Sequence, residues 1–177
     1  MRDNLAKDEA FGKDIIESGS QDVNGSARWH FERLGCNRYV GTDIVPGICV
    51  DRICAAEDLV KTFGARSFDV LVSTEVIEHV SDWRAVISNY KRVLKPGGVL
   101  FITTRSEGFQ YHEYPIDAWR YNCDDMRAIF ADFEILALMD DPSEPGVFIK
   151  ARRPKKFKEA NLSKFALYSM AEQRRTI

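Results

Sequence analysis

The loop Glu17-Ser18-Gly19-Ser20-Gln21-Asp22-Val23-Asn24-Gly25 follows the apolar pair Ile15-Ile16 and has the make-up of a ligand loop. Gly19 lacks a Cβ, so the backbone there can approach a bound molecule closely. A carboxylate, Asp43, stands 24 residues further on, at the end of Gly41-Thr42-Asp43. Such a carboxylate can accept hydrogen bonds from both hydroxyls of a ribose. The dinucleotide fingerprint is missing, because Gln21 and Asn24 occupy its second and third glycine positions. A Gly-Lys-Ser/Thr phosphate loop is also missing, and Asp22 would repel a pyrophosphate. The pattern fits a ligand with a ribose and no phosphate. The competing reading is a plain βα turn in which Asp43 caps a helix.

A second cluster lies between Arg105 and Tyr121, in a segment dense with aromatic and ionisable side chains. It is too long for a simple connector, and long ordered loops usually carry function. His112 is the first candidate for a general base or an acceptor-orienting group. Arg105 and Arg120 could hold an acidic acceptor through forked bonds, or pair instead with Glu107, Glu113 or Asp117. Tyr114 and Trp119 read as packing residues.

The elements that must position these groups alternate between short apolar runs and amphipathic ones. Strands are expected at Asp14–Gly19, Arg38–Ile44, Phe68–Thr74, Val99–Thr104, Glu134–Met139 and Val147–Ala151. Helices are expected at Ser26–Leu34, Ala55–Phe63, Asp82–Leu94 and Asp124–Phe130, with Trp29 and Trp83 facing the core. Ser81-Asp82 signals a helix start, and Lys95-Pro96-Gly97-Gly98 a stop. The expected fold is α/β: a Rossmann-like, doubly wound, mostly parallel sheet in three αβα layers. Its last two strands are joined by only Asp140-Asp141-Pro142-Ser143-Glu144-Pro145-Gly146, so the sheet should end in an antiparallel hairpin.

Two further segments, Phe68-Asp69-Val70-Leu71-Val72-Ser73-Thr74-Glu75-Val76-Ile77-Glu78-His79-Val80 and Arg92-Val93-Leu94-Lys95-Pro96-Gly97-Gly98-Val99-Leu100, complete an ordered set with the Gly19 loop and Tyr39-Val40-Gly41-Thr42-Asp43. Across residues 13–153 the chain resembles the class I S-adenosylmethionine-dependent methyltransferases, in particular their small-molecule branch. The resemblance implies S-adenosylmethionine as cofactor, S-adenosylhomocysteine as product, and methyl transfer to a small-molecule, glycan-linked or lipid-linked acceptor. It implies that Glu17, Gly19 and Ser20 wrap the methionine part, Asp43 holds the ribose and Ile44 packs on the adenine. Ala56 and Glu57 would line the adenine edge, and Thr74 and Glu75 would lie beneath the sulfonium. His79 matches a position near the acceptor, which makes His112, His79 and Arg105 the candidate catalytic set. Two departures stand out: Gln21 replaces a common glycine, and Ala55 replaces a common aspartate, leaving the adenine amino group to backbone or to Asp58. The family carries part of its acceptor lid before the first strand, where about a dozen residues stand here. The site is therefore expected to be open to a large acceptor or closed by another chain. The alternatives to an enzyme of this kind are a cofactor-binding or regulatory module without activity, and a nucleic-acid methyltransferase. The last lacks an Asn-Pro-Pro-Tyr-type motif after the fourth strand.

Composition sets the outer limits. The 177 residues are 45% hydrophobic with a formal net charge of −2, which excludes a protein basic all over. The charge is uneven: residues 150–177 hold nine basic and two acidic side chains, so +7 sits against −9 before them. Residues 1–12 are expected to be a short N-terminal segment, 13–153 the cofactor domain, and 154–177 a basic tail. Residues 159–175 of that tail read as an amphipathic helix, with Leu162, Phe165, Ala166 and Met170 on one side. Its apolar stripe could dock on its own domain, a twin subunit, a partner chain or an anionic surface. Cys36, Cys49, Cys54 and Cys123 form no Cys-x-x-Cys pair, and His30, His79 and His112 are not at ligand spacing from them, so no metal site is expected. No signal-peptide pattern and no run of ~20 apolar residues is present, which reads as a cytoplasmic protein without a transmembrane segment.

Overall fold

A computed structural model describes residues 5–23 and 25–177; Asn24 of the Gly19 loop and residues 1–4 lie outside the described set. After a single 3-10 turn at Lys7–Glu9, the chain forms strand β1 (Asp14–Ser18), helix α1 (Arg28–Arg33), β2 (Arg38–Asp43) and β3 (Arg52–Ile53). A 3-10 turn at Ala56–Asp58 leads into α2 (Leu59–Phe63), then β4 (Phe68–Thr74), a turn at Ile77–His79, and α3 (Trp83–Val93). The rest comprises β5 (Leu94–Arg105), β6 (Trp119–Arg120), α4 (Cys123–Ile129), β7 (Glu134–Asp140), β8 (Gly146–Arg152), β9 (Leu167–Ser169) and β10 (Arg174–Thr176).

Seven strands make one sheet in the order β3-β2-β1-β4-β5-β8-β7. The pairs from β3 to β5 are parallel, while β8 runs antiparallel to both β5 and β7, giving the expected hairpin. Strand order reverses between β1 and β4, and in open α/β sheets the ligand crevice opens at that reversal.

Strand alternation sorts the core into two layers. Ile16, Leu71, Leu100 and Ile102 face α2, α3 and α4, and Ile15, Val70, Val72 and Phe101 face Phe31 and Tyr39 on the α1 side. In α3, Trp83, Val86, Ile87, Tyr90 and Val93 recur at helical spacing and are fully buried, each stabilising the fold by about 1.5–3 kcal/mol. The helix starts where Asp82 accepts the Ala85 amide at 3.0 Å. It ends at Leu94, where the backbone turns extended.

Two expectations are corrected. Trp29 is 56% exposed, because the short helix α1 buries Phe31 and turns Trp29 outward. Residues 159–175 form no helix. Instead β9 pairs antiparallel with β6 and β10, making a separate three-stranded sheet. Tertiary contacts override the helical period here: Arg84 donates to the carbonyls of Leu162 (3.1 Å) and Phe165 (2.8 Å). The Phe165 ring stacks edge-on against Trp83 with centroids 6.0 Å apart, and Leu167 is fully buried. The tail's apolar side chains therefore dock on their own domain. Its charges are partly matched there too, since Arg175 pairs with Asp125 and bonds the Ala166 carbonyl at 2.8 Å.

Candidate active site

A cavity of about 500 Å³ opens at the carboxyl ends of β1, β2 and β4, where the strand order reverses. Gly19 ends β1 at φ +72°, with its amide donating to the Thr42 carbonyl at 2.8 Å. A Cβ there would lie 2.1 Å from Val76 Cγ2, so the approach of Val76 as well as the left-handed backbone demands glycine. Asp43, ending β2, is aimed by two backbone donors: Gln21 to Oδ2 at 3.2 Å and Val45 to Oδ1 at 3.3 Å. Asp43 lines the cavity, and a carboxylate with two bonds keeps further acceptor capacity. Ile44 and Val23 sit on the rim, 51% and 69% exposed, as apolar surfaces open to a ligand.

Beneath this rim Glu17 is buried and accepts the Tyr39 hydroxyl at 2.9 Å. Burial pushes its carboxyl up to about 7, against which the Tyr39 bond and Arg28 pull weakly. Burial likewise raises the Tyr39 phenol, and the neighbouring Glu17 carboxylate adds to it. Ser20 turns its hydroxyl to the Cys49 carbonyl at 3.1 Å.

Opposite stands a wall made by the turn after β4 and the segment between β5 and β6. Glu75 holds a left-handed backbone at φ +56°, a conformation that costs free energy in a non-glycine residue. Arg105 pairs with Glu75 and with Glu144 (3.1 Å) and lies over the Phe109 ring at 4.1 Å. His79 donates from Nδ1 to the Ile116 carbonyl at 2.6 Å, and burial lowers its affinity for a proton. Glu78 is fully buried: Thr104 donates to Oε2 at 2.8 Å, while Oε1 has no hydrogen-bond partner. Burial pushes its carboxyl up to about 8, and the nearby Glu75 charge adds to the rise. Behind this wall Asp117 receives the His112 amide at 2.9 Å and Arg120 Nη2 at 2.7 Å, with Arg120 only 1% exposed. Burial alone would raise the Asp117 carboxyl, but its bonds to Arg120 and the His112 amide hold it below the usual range.

All nine residues expected at the cofactor, Glu17, Gly19, Ser20, Asp43, Ile44, Ala56, Glu57, Thr74 and Glu75, line this one cavity. Of the candidate catalytic set, His79 lines it, while His112 and Arg105 stand outside the lining; His112 packs against His79 with ring centroids 4.7 Å apart. Arg120 is committed to Asp117, and Trp119 donates its indole N–H to the Val80 carbonyl at 2.8 Å. Asp58 pairs with Lys61 at 3.5 Å and is not part of the lining, whereas Ala55 is. Sequence reading missed Val76, Val80, Ser81 and Ile116 as lining residues. It also passed over Glu78, whose signal was its position beside His79 in the turn after the buried strand β4. Tyr114, Pro115 and Ile116 line part of the cavity, so the segment after β5 contributes cover at a site expected to be open or closed by another chain.

A doubly wound sheet with a glycine loop and a carboxylate lining the cavity at its reversal point defines a Rossmann-like domain. The chain belongs to the methyltransferase domain family, whose model matches residues 12–140. A ubiquinone biosynthesis O-methyltransferase from Parvibaculum lavamentivorans is 33% identical over 75 residues, which is 42% of this chain and 29% of that protein. The chain spans less than a third of the length of the ubiquinone-biosynthesis relatives it matches. An S-adenosylmethionine-dependent methyltransferase from Mesorhizobium loti has the same fold, with a TM-score of 0.65 and 17% identity, covering 86% of this chain and 95% of that one. So does 1,6-didemethyltoxoflavin-N1-methyltransferase of Burkholderia thailandensis, solved with 1,6-didemethyltoxoflavin and S-adenosylhomocysteine bound, with a TM-score of 0.61 and 14% identity over 81% of this chain and 72% of that one. No helix among the described residues is long and apolar enough to cross a membrane.

Proposed function

We propose that the cavity binds S-adenosylmethionine and that the protein moves its methyl group to a hydroxyl oxygen of a small molecule, free or lipid-linked. The observation that carries this reading is the convergence on one cavity of Gly19, Asp43, Ala56, Glu57 and Thr74, contributed by separate βα connections. The oxygen acceptor is supported by the O-methyltransferases among its relatives. Free cysteines at all four positions fit a reducing compartment, the cytoplasm.

In this reading Asp43 accepts both ribose hydroxyls, Ile44 and Val23 pack the base, and Gly19 gives the methionine part room against Val76. When bound, the cofactor supplies an electrophilic methyl group on a sulfonium. The work of the chain is positioning: Glu75 and Thr74 fix the donor end, and Tyr114, Pro115 and Ile116 exclude water from it. As the acceptor oxygen forms its bond to carbon, the pair of the breaking carbon–sulfur bond stays on sulfur and the hydroxyl proton must leave. His79 lines the cavity with Nδ1 already donating, so its Nε2 is free to accept that proton. Calorimetry with S-adenosylmethionine and S-adenosylhomocysteine tests the reading. Binding of both at micromolar concentration is expected, and no binding of either at millimolar concentration would overturn it.

A further inference from the structure

The base of the sheet, where β4 starts and β8 ends, gathers cations that lie outside any ion pair. At the end of α3 the Arg66 amide donates to the Arg92 carbonyl at 2.9 Å. Arg153 Nη1, from the residue after β8, donates to that same carbonyl at 3.3 Å and to the Leu94 carbonyl. Three arginines from three segments therefore meet at one helix end. Arg66 and Arg92 are exposed, while Arg153 is buried with its guanidinium 4.6 Å over the Phe157 ring. Burial and the Arg66 and Arg92 charges loosen the Arg153 proton, against the pull of Glu159. Arg66 holds a left-handed backbone at φ +60°, which glycine or asparagine adopts at less cost.

Acids at this end of the sheet are spent on other cations: Asp14 and Asp69 on Lys95 at 3.2 and 2.8 Å, and Asp132 on Lys91 at 2.8 Å. Of the nine basic residues from Lys150 to Ile177, Lys150, Arg152, Arg174 and Arg175 are ion-paired. Among the described residues Arg153, Lys155, Lys156, Lys158 and Lys164 are not. Lys155, Lys156 and Lys158 continue from Arg153 with exposed side chains. This strip is anchored at both ends. Arg153 exchanges backbone hydrogen bonds with Gly97 and Gly98 at 2.9 and 2.8 Å, and the Phe157 ring packs on Phe133 with centroids 5.6 Å apart. Folding collects like charges here, and anions bound among them relieve the repulsion.

We propose that Arg66 and Arg92, with Arg153 behind them and Lys155, Lys156 and Lys158 beside them, bind the phosphate backbone of a nucleic acid. Guanidinium forks match pairs of phosphate oxygens, and the ammonium groups add charge along the strand. None of the exposed large apolar side chains, Trp29, Ile48 and Tyr111 among them, belongs to these segments. Docking on a bilayer or on a protein takes apolar anchors, whereas a nucleic-acid interface is polar and strongly positive. The strip's aromatic ring, Phe157, is packed between Arg153 and Phe133 and does not stack on a base, so binding is independent of base sequence. Strand β4 spans seven residues, about 20 Å, and its far end lines the cavity. The bound strand is therefore a tether and not the methyl acceptor.

The test titrates the full chain into a labelled 20-nucleotide oligouridylate and follows fluorescence anisotropy at 50 and 200 mM salt. Micromolar binding is expected at 50 mM. With about four phosphates neutralised, the fourfold rise in salt should weaken binding about fifty-fold. Arg66→Gln combined with Arg92→Gln removes two of those contacts. The double variant should bind at least fivefold more weakly at 50 mM salt and lose only about sevenfold more on the rise. A purely structural role for the two arginines would not flatten the salt dependence. Both side chains are exposed, and an unchanged Tm shows the double variant intact. No binding at 100 μM protein in 50 mM salt, or undiminished affinity and salt dependence in the folded double variant, would overturn the site. Equal or tighter binding to phosphatidylcholine vesicles carrying 30% phosphatidylglycerol, or to polyglutamate, would give the surface to a bilayer or an acidic protein and overturn the proposal.

Discussion

The two walls of the cavity are built on opposite plans. The cofactor wall is made by the ends of β1 and β2, and its polar groups meet backbone close by in the same sheet: Asp43 with the Gln21 and Val45 amides, Gly19 with Thr42. The acceptor wall is assembled from the turn after β4 and a segment some thirty residues later. It is held by buried polar groups from separate segments: Glu78 with Thr104, Asp117 with Arg120, His79 with the Ile116 carbonyl. The first wall needs only the sheet to form. The second needs side chains from distant segments to find one another in a medium where an unpaired charge is costly. On the proposed function, binding that rests on the sheet is thereby separated from chemistry that rests on a network.

The largest effect that tests this contrast comes from Asp117→Ala. It leaves the Arg120 guanidinium buried without its carboxylate, which should cost about 3–5 kcal/mol of stability and lower Tm by about 6–20 °C. Chemical and thermal unfolding check this. Cofactor affinity of the folded variant should stay within about threefold of the original. An affinity loss as large as the stability loss would show that the walls are one unit.

Glu17 gives the next effect, with the opposite sign. Its native carboxyl is raised to about 7 from an ordinary 4.5, so the folded state holds the proton more tightly than the unfolded one. Stability therefore falls as pH rises from about 4.5 to 7, and above 7 the buried charge costs about 3 kcal/mol. Glu17→Gln keeps an acceptor for Tyr39 and removes the charge. The variant should match the wild type near pH 4.5 and exceed it by about 3 kcal/mol at pH 8 in urea unfolding. Parallel stability curves would show that burial does not act on Glu17 as the geometry implies.

Smaller again is Asp43→Ala, which should weaken S-adenosylmethionine binding by about 1–3 kcal/mol, or about 5- to 150-fold, with little change in stability. Unchanged affinity would remove Asp43 from the ribose site.

The same contrast explains what could be read from the sequence. Strand ends carry local signals: a glycine after apolar residues, a carboxylate closing the next strand, a buried run such as Phe68–Thr74. These placed the sheet order's reversal point, with Gly19 and Asp43 at the cavity; the other seven cavity residues followed from the family resemblance rather than from local signals. The acceptor wall carries no such local signal. That His112 packs on His79, or that Arg120 and not Arg105 meets Asp117, follows from pairings across the fold. The tail shows the same limit. Its helical apolar period at Leu162 and Phe165 is real, but Arg84, Trp83 and the free edge of β6 offer better partners to an extended chain. Trp29 fails for the converse reason, since α1 is too short to bury more than Phe31.

Tyr114→Phe is the mildest and most pointed test of the separation. The Tyr114 hydroxyl reaches from the acceptor wall to Gln21 Oε1 on the cofactor wall at 3.4 Å, in an exposed setting. A long, solvated, neutral hydrogen bond contributes at the bottom of the usual range, about 0.5 kcal/mol, so its loss should change cofactor affinity by about twofold. The ring remains in place, and with it the cover over the cavity. If the walls are independent, the variant should bind S-adenosylmethionine almost as the wild type does, by the same calorimetry. A tenfold loss would mean that this one contact sets the distance between the walls. The cofactor side would then depend on the segment after β5, and the two-part plan would have to be given up.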